Sequence, residues 1–456
     1  TDTTKAAHVL LPAASWGEKN GTVTNSERCI SRQRSFLPPP GEAKPDWWII
    51  TQVAHHLGYE DAFPYQHPSE IFAEHVALSA FENNGSRDFD LSGLQGINQA
   101  EYDALAPIQW PINSSYPKGR ARFYDDNHFY TPSGKANFIP VIATLPSELT
   151  DSQLLMNTGR IRDHWHTMTR TGKSARLAQH ISEPYADMHS ADAKKYNIND
   201  GDLIKVSNLR GNIIVRAKVH NDQTQRIGEI FVPMHWTSRY ASLARMGSLI
   251  DKTNDPISGQ PALKQTAVSI APYAPQWQGF VLSKTDLGAP DCEYWAYNLT
   301  PYGHVYDVAG QQSAAEFINR ISCDMDQGEW LRMSDAATNH YRLAHLIDGC
   351  LERLVFIHQD KKLPTRQWLT ELFAKDTLTL EERKALLAGS LPGAKEDTGR
   401  IICSCFQVGE KTIINAIESG CDSASVLGEQ LKCGTNCGSC IPELKSLLTA
   451  HVELET

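Results

Sequence analysis

The feature that most limits the fold of this chain is the crowding of cysteines near its C-terminal end. Six of the ten cysteines in the 456-residue sequence lie between residues 403 and 440. A disulfide framework spreads cysteines through a small secreted domain, whereas here they are concentrated in one segment of a large chain that shows no export signal. The pattern therefore predicts a metal or iron-sulfur module in a reducing compartment.

Four of these cysteines form two short motifs, a C-x-C pair and a later C-x-x-C pair. Two predicted helices, at residues 410–418 and 423–430, separate the pairs. Gly434 and Gly438 allow backbone amides to turn toward sulfur. Four thiolates suit an iron-sulfur cluster, which the tight C-x-C spacing favours, and a closed zinc site is the alternative. The candidate ligands are Cys403, Cys405, Cys437 and Cys440.

Composition and charge exclude several other classes of protein. The sequence is 41% hydrophobic and 21% charged, as expected of a folded, multidomain chain. A net charge of −10 opposes nucleic-acid binding, which needs an excess of Lys and Arg. No apolar run reaches the roughly 20 residues that span a bilayer, so we expect no membrane partner. The chain begins TDTTKAAHVLLPAA without an initiator methionine, and we expect it to be part of a longer protein.

The order of apolar runs and loops in the N-terminal third is typical of the end of an α/β domain. Residues 8–11 form an apolar run that predicts a short buried strand. After a proline-rich loop, apolar residues recur at helical spacing from Trp48 to Leu57 and predict a helix. Residues 60–147 are rich in Asn, Ser, Asp, Gly and Pro, and we interpret them as an irregular excursion over the surface.

The pattern changes to short strands after residue 149. Apolar or alternating segments separated by turn residues predict a β-barrel. Further along, residues 367–373 and 382–387 predict helices. The barrel strands are expected at residues 154–156, 203–206, 213–219 and 229–233. We expect domains over residues 1–147, 148–272, 273–396 (a linker and small α/β domain) and 397–456.

One loop carries an unusual density of hydrogen-bond donors. The stretch NTGRIRDHWHTMTRTG, residues 157–172, combines Arg, His and Thr side chains with Gly159, which allows close backbone approach. Guanidinium and imidazole donors suit a polyanion or a heterocycle rich in acceptors. His164 and His166 could instead bind a metal, although no third ligand is nearby in sequence, and a merely solvated basic loop is a further alternative.

Several long motifs, in order, resemble the molybdopterin oxidoreductase family. They are LLPAASWGEKNGTVTNSERCISRQRSFLPPPGEAKPDWW, the TGR/HWHT loop, DGDLIKV, FVPMHW and DPISGQPALKQTAV. Within this family, the chain is most similar to the large subunits of bacterial assimilatory nitrate reductases. The tail, with ICSCFQVGEKTIINAI and CGTNCGSCIPEL, is similar to the bacterioferritin-associated-ferredoxin-like 2Fe-2S domain.

The resemblance implies a fold and a set of binding residues. The fold class is multidomain α/β plus β: the end of an α/β molybdopterin domain, a double-psi-type β-barrel and a small helical 2Fe-2S domain. The four cysteines named above would ligate the 2Fe-2S cluster. Gly247 stands where some family members have an Asn, so this position is left out of the binding set. The expected pterin or dinucleotide contacts are Lys19, Asp46, Thr158, Gly159, Arg160, His164, His166, Thr167 and Lys264.

The resemblance also implies a function. Molybdenum held by two molybdopterin guanine dinucleotides would reduce nitrate to nitrite in cytoplasmic nitrogen assimilation. Electrons would come through the C-terminal 2Fe-2S domain from an NADH-dependent flavoprotein subunit or a ferredoxin, and a 4Fe-4S cluster is expected outside this chain. No catalytic residue is identified, and the chain alone is expected to be inactive. Another molybdopterin oxidoreductase, such as a formate dehydrogenase, and a non-catalytic electron-transfer fragment are the alternatives.

Overall fold

The computed structural model describes residues 1–140, 149–221, 224–323, 327–360, 363–390 and 397–452. The chain forms two compact units, one of residues 6–144 and one of residues 1–5 together with 145–456. The first helix is α1 (Asp2–Ala6). The domain boundaries expected at 147/148 and 396/397 fall on residues outside, or at the edge of, the described ranges.

The unit of residues 6–144 is a small α/β assembly. Its antiparallel sheet contains β1 (Gly21–Thr24), β2 (Cys29–Gln33) and β3 (Ile108–Gln109). Its helices are α2 (Asp46–His56), α3 (Pro68–Ala80) and α4 (Gln99–Ala104). The helix predicted from Trp48 is confirmed as α2, and apolar side chains of β2, α3 and α4 form the core of the unit.

Two predictions for this unit are wrong. Residues 8–11, which lie within the described range 1–140, form no strand, and Val9 is 73% exposed. The neighbouring backbone makes only an isolated bridge, between Ala13 and Lys44, so no ladder forms along the apolar run. Residues 60–140 are not simply irregular, because α3 has a proline in its first turn, a His67 to Glu70 capping box and a buried Val76.

The second unit contains the predicted closed barrel. All four predicted strand segments fall within barrel strands, and along β4 buried and half-buried side chains alternate as a one-sided strand requires. The strand order is β4-β8-β5-β7-β6-β9, with β4/β8 and β5/β7 parallel. Two short helices, α5 (Ala175–Ala178) and α6 (Ser190–Lys195), connect strands. The strands are β4 (Leu154–Gly159), β5 (Tyr185–His189), β6 (Leu203–Asn208), β7 (Gly211–His220), β8 (Glu229–Pro233) and β9 (Thr266–Pro272).

An antiparallel six-stranded sheet follows the barrel in the same unit. Its order is β11-β12-β10-β15-β14-β13. Buried side chains on one face join the barrel core in one hydrophobic cluster, and others form a second cluster with the helices that follow the sheet. The helices predicted at 367–373 and 382–387 are present as α8 (Arg366–Glu371), extended by a 3-10 turn, and α9 (Leu380–Leu386); α7 (Ala314–Ser322) precedes them. The strands are β10 (Trp277–Ser283), β11 (Tyr294–Thr300), β12 (Gly303–Gly310), β13 (Glu329–Asp335), β14 (His340–Ile347) and β15 (Cys350–His358).

A buried ionic network connects the barrel to this sheet. Arg366 of α8 pairs with Asp307 of β12, and Arg216 of β7 pairs with Glu183. Tyr294 of β11 donates a hydrogen bond of 2.6 Å to Glu183. Because each buried charge has an opposite partner, the network can persist in the interior.

The cysteine module is the C-terminal part of the second unit. It consists of a two-stranded ribbon, β16 (Ile401–Cys403) and β17 (Val408–Gly409), and three helices. The helices predicted at 410–418 and 423–430 are confirmed as α10 (Glu410–Glu418) and α11 (Ala424–Leu431), and α12 (Ile441–Val452) follows. No helix within the described residues is long and apolar enough to cross a bilayer.

Candidate functional site

The donor-rich loop begins where β4 ends, and His235 makes hydrogen bonds to its backbone at two positions. The Ile161 amide donates to His235 Nε2 at 2.9 Å, and His235 Nδ1 donates to the His166 carbonyl at 2.6 Å. This arrangement requires a neutral ring with its proton on Nδ1. Burial lowers the pKa of His235, which favours that neutral form.

The backbone of this loop adopts left-handed conformations that non-glycine residues rarely take. Asp163, His166 and Met168 have φ values of 71°, 40° and 58°. Tyr240 fixes one of these turns, because its hydroxyl donates to the Met168 carbonyl at 2.9 Å. Left-handed non-glycine residues persist only where the surroundings hold them, and they are concentrated at functional sites.

A cavity of about 400 Å³ lies at the carboxyl end of β4. It brings together four residues of the predicted pterin set, Thr158, Gly159, Thr167 and Lys264. Lys264 Nζ donates to the Thr158 carbonyl. A Cβ at Gly159 would lie 3.6 Å from Lys264 Nζ and 3.2 Å from the Phe231 ring, so glycine keeps this wall of the cavity open.

The other predicted residues of the barrel lie around this cavity rather than in its lining. His164 is buried, and its ring contacts the ring of Trp236, a cavity residue, with the centroids 5.5 Å apart. Burial lowers the pKa of His164 to about 4. Arg160 and His166 are exposed. The structure therefore separates the predicted set into cavity residues, one supporting ring and two surface side chains.

Lys19 and Asp46 belong to the unit of residues 6–144, where they contact each other. The Lys19 ammonium pairs with the Asp46 carboxylate at the first turn of α2. The hydrogen bond from Lys19 lowers the pKa of Asp46. Both side chains are partly exposed, so either could exchange this contact for a ligand.

Three buried polar atoms in or beneath the cavity wall need a partner. Within the described part of the chain, Thr158 Oγ1, His164 Nδ1 and Trp236 Nε1 have no hydrogen-bond partner. Buried polar atoms are almost always satisfied in folded proteins, so such atoms indicate a missing group. A hydroxyl, an indole N–H and an ammonium beside an open glycine fit a polar ligand rich in acceptors, as a pterin dinucleotide is.

Sequence reasoning missed His235 and Trp236 as site residues. Both follow β8, whose parallel pairing with β4 brings the residues after Pro233 next to those after Gly159. The Met234 amide donates to the Gly159 carbonyl at 3.0 Å and continues this pairing. The FVPMHW motif contains both residues, but which strand lies beside β4 is a property of the barrel topology.

The structure brings the four predicted cysteine ligands together as two pairs. Cys405 Sγ and Cys437 Sγ are 3.3 Å apart, and Cys403 lies close enough to Cys440 to raise the pKa of that thiol. Each pair contains one cysteine from each motif. Among the residues that the structure describes, no three His, Cys, Asp or Glu side chains converge as ligands of a single metal ion. Two thiolate pairs fit a two-iron cluster, in which each iron takes two cysteines.

The surroundings of these sulfurs also fit a cluster. The Gly434 backbone, at φ 81°, hydrogen-bonds to Cys440, as expected for a glycine that turns its amide inward. Burial raises the pKa of Cys440 to about 12, so its thiolate needs a nearby cation such as iron. Hydrogen bonds from Ser439 lower the pKa of the more exposed Cys437.

The two remaining cysteines of the module have other contacts. Cys433 is buried and its thiol donates to the Leu427 carbonyl at 3.5 Å. The Cys421 thiol donates to Gln430 Oε1 at 2.7 Å. Both therefore behave as core thiols of the module.

Comparison with known families identifies the domains. Residues 1–56 match a molybdopterin oxidoreductase model, residues 154–267 a molydopterin dinucleotide binding domain, and residues 401–450 a BFD-like [2Fe-2S] binding domain. Three segments of the chain thus match a molybdopterin oxidoreductase model, a dinucleotide binding domain and a 2Fe-2S binding domain, in that order. The resemblance seen in the sequence is confirmed.

The relatives include nitrate reductases. The nitrate reductase of Klebsiella oxytoca is 42% identical over 99% of this chain and 51% of its own length. The assimilatory nitrate reductase catalytic subunit of Bacillus subtilis is 35% identical over 60% of this chain and 37% of its own length. The chain is a homologue of nitrate reductases, and it spans about half the length of the relatives that it matches throughout.

Two further matches are a relative whose name gives a different activity and a solved structure of low similarity. The F420-dependent formate dehydrogenase subunit alpha of Methanocaldococcus jannaschii is 34% identical over 59% of this chain and 37% of its own length. Among solved structures, acetylene hydratase from Pelobacter acetylenicus aligns with 57% of this chain and 37% of its own chain. Its TM-score of 0.42 and identity of 18% are too low to establish a shared fold.

Proposed function

We propose that the protein containing this chain reduces nitrate to nitrite for nitrogen assimilation in the cytoplasm. The nitrate reductase homologues and the three matched domains support this proposal. The electron donor would be an NADH-dependent flavoprotein subunit or a ferredoxin, and the whole protein would also hold a 4Fe-4S cluster, as the family resemblance implies. The cofactor would be molybdenum on two molybdopterin guanine dinucleotides.

The observation that carries the proposal is one compact unit with both kinds of site. It contains the cavity with unsatisfied polar atoms and the paired cysteines. Lys264, Thr158 and Thr167 would bind and orient the acceptor-rich pterin, and His164 would support the cavity wall. The bound molybdenum would supply oxygen-atom transfer and redox chemistry. The proposed cluster ligands are Cys403, Cys405, Cys437 and Cys440.

The remaining expected residues and boundaries are part of the same proposal. Lys19 and Asp46 would contact the dinucleotide, and Arg160 and His166 would reach it from the loop surface. We propose that the pterin-binding core ends near residue 147, the barrel near 272, and that 2Fe-2S binding begins near 397. Residues 273–396, which include the six-stranded sheet packed against the barrel, would form the expected linker and small α/β domain.

A formate dehydrogenase activity is the second candidate, because the relatives include formate dehydrogenase alpha subunits. The test uses purified full-length protein loaded with molybdenum. It is assayed with reduced viologen and nitrate, and separately with oxidised viologen and formate. Nitrite formation supports the first function. Formate oxidation without nitrite formation supports the second, and neither activity would favour a non-catalytic electron-transfer role.

A further inference from the structure

The loop after β4 contacts the cysteine module directly. Arg162 Nη2 donates to the Ile402 carbonyl at 2.7 Å, and Arg162 Nη1 donates to Glu443 Oε2 at 3.3 Å. Ile402 immediately precedes a predicted cluster ligand, and Glu443 lies in the first turn of α12. Arg162 is 16% exposed, so this guanidinium is held largely out of solvent between the two parts.

A second contact reaches the segment that carries two cluster ligands. Ser404, which lies between Cys403 and Cys405, donates from its hydroxyl to Asp163 Oδ2 at 2.8 Å. Asp163 precedes His164 in the chain, and His164 supports the cavity wall through Trp236. This hydrogen bond joins the cysteine segment to the Asp163 side chain of the donor-rich loop.

A third contact completes the set. His180 is buried, and its Nε2 lies within hydrogen-bond distance of Glu443 Oε1, at 3.0 Å. Its Nδ1 lies 3.3 Å from Asp163 Oδ2 but makes no hydrogen bond there. The arrangement places a guanidinium and an imidazole between two carboxylates, one from each side of the contact. Separating the two sides would leave partly buried charges without partners, which is unfavourable.

We propose that Arg162, Asp163 and His180 form a docking clamp that fixes the cysteine module on the loop beside the cavity, and that this contact is the electron route between the two cofactor sites. The proposal rests on the proposed function. With both cofactors bound, the cluster held by the module would supply single electrons toward the molybdenum-pterin group, becoming oxidised as that group is reduced, with no bond formed or broken. Arg162, Asp163 and His180 would hold the two binding sites in place relative to each other. The residues of the clamp are positioning residues, and Ser404 and Asp163 supply a direct hydrogen bond between the cysteine segment and the loop.

The main test weakens the clamp from the module side in the full-length, cofactor-loaded protein. Glu443→Lys places a cation against Arg162, and Arg176→Gln, an exposed arginine on α5, is the matched control. The cluster is reduced with dithionite, the excess is removed, and nitrate is added in a stopped-flow instrument. Reoxidation of the cluster should be slower by about tenfold or more in Glu443→Lys, because removal of a partly buried ion pair disfavours the docked state.

Hydrogen exchange provides a readout that does not depend on turnover. The amides of residues 161–166 should exchange faster in Glu443→Lys than in the wild-type protein or the control, while the EPR spectrum of the cluster stays the same. If Glu443→Lys fails to assemble its cluster, Arg162→Gln tests the clamp from the barrel side and leaves the module sequence intact. It should give the same slower reoxidation and faster exchange.

The outcomes separate this inference from the function on which it rests. Unchanged reoxidation and unchanged exchange in a cluster-loaded variant would overturn the clamp, even with normal nitrate reduction. If nitrate does not reoxidise the wild-type cluster at all, the proposed electron route is overturned, and exchange of residues 161–166 then decides whether the clamp exists as a structural contact. Slower reoxidation in the Arg176→Gln control as well would also overturn the proposal.

Discussion

His235 should control the order of the donor-rich loop, and His235→Leu is the perturbation that tests this. The histidine ring is fully buried and makes one hydrogen bond at each nitrogen, to Ile161 and to His166. Leucine has a comparable apolar bulk but no polar atom. It therefore removes both hydrogen bonds and leaves the Ile161 amide without an acceptor.

The size of the effect follows from these two contacts. A buried donor left unsatisfied costs about 1–3 kcal/mol, whereas the carbonyl of the exposed His166 can turn to water. We expect local opening of the loop to become easier by about 2 kcal/mol. Since 1.36 kcal/mol corresponds to a factor of ten, the open population should rise by about 30-fold.

Hydrogen exchange at the Ile161 amide measures this directly. The matched variant is His235→Gln, whose Oε1 can still accept from Ile161, so its exchange should lie between wild type and His235→Leu. Pterin content of the full-length protein should fall in the same order. Wild-type exchange of Ile161 and wild-type pterin content in His235→Leu would refute this account of the loop.

Further predictions concern acid stability, the buried network and the cluster ligands. The pKa of His164 is about 4 in the folded chain and 6.5 when unperturbed, so the neutral ring is favoured by folding. The contribution of His164 to the free energy of unfolding should be fully present above pH 6.5 and should fall by about 3 kcal/mol toward pH 4. Thermal melts should therefore depend less on pH in His164→Phe than in the wild-type protein. Arg366→Met leaves Asp307 buried and unpaired, and chemical denaturation should show a loss of about 3–5 kcal/mol; a loss below the error of the measurement would contradict the pairing. Cys437→Ser should lose the visible absorption of the cluster and Cys433→Ser should keep it, and the reverse pattern would reassign the ligands.

Much of the secondary structure could be predicted from local patterns. The helices α10 and α11 and four of the six barrel strands follow apolar periodicity and turn residues, which are properties of neighbouring positions, whereas β5 and β9 were not predicted. The exposed run at residues 8–11 shows the limit of that reasoning. An apolar segment becomes a strand only where another strand lies beside it, and sequence does not report that neighbour.

The sequence predicted several residues that the structure brings together, but it did not predict the residues that hold them in place. The predicted cysteines Cys405 and Cys437 lie 3.3 Å apart, although the motif spacing did not predict this pairing across the two motifs, and Lys264 meets Thr158 at the cavity. His235 and the Arg162 contacts depend instead on the parallel pairing of β4 and β8 and on the position of the module against the loop. Such long-range contacts arise from topology, which residue spacing alone does not encode.

Cofactor analysis of the purified full-length protein decides whether it holds both a molybdenum-pterin group and a 2Fe-2S cluster. We expect molybdenum together with guanine nucleotide, pterin fluorescence after oxidation, iron with acid-labile sulfide, and the EPR signal of a reduced two-iron cluster that disappears in Cys437→Ser. Stoichiometric zinc bound to the cysteines, with neither molybdenum nor pterin present, would overturn both assignments.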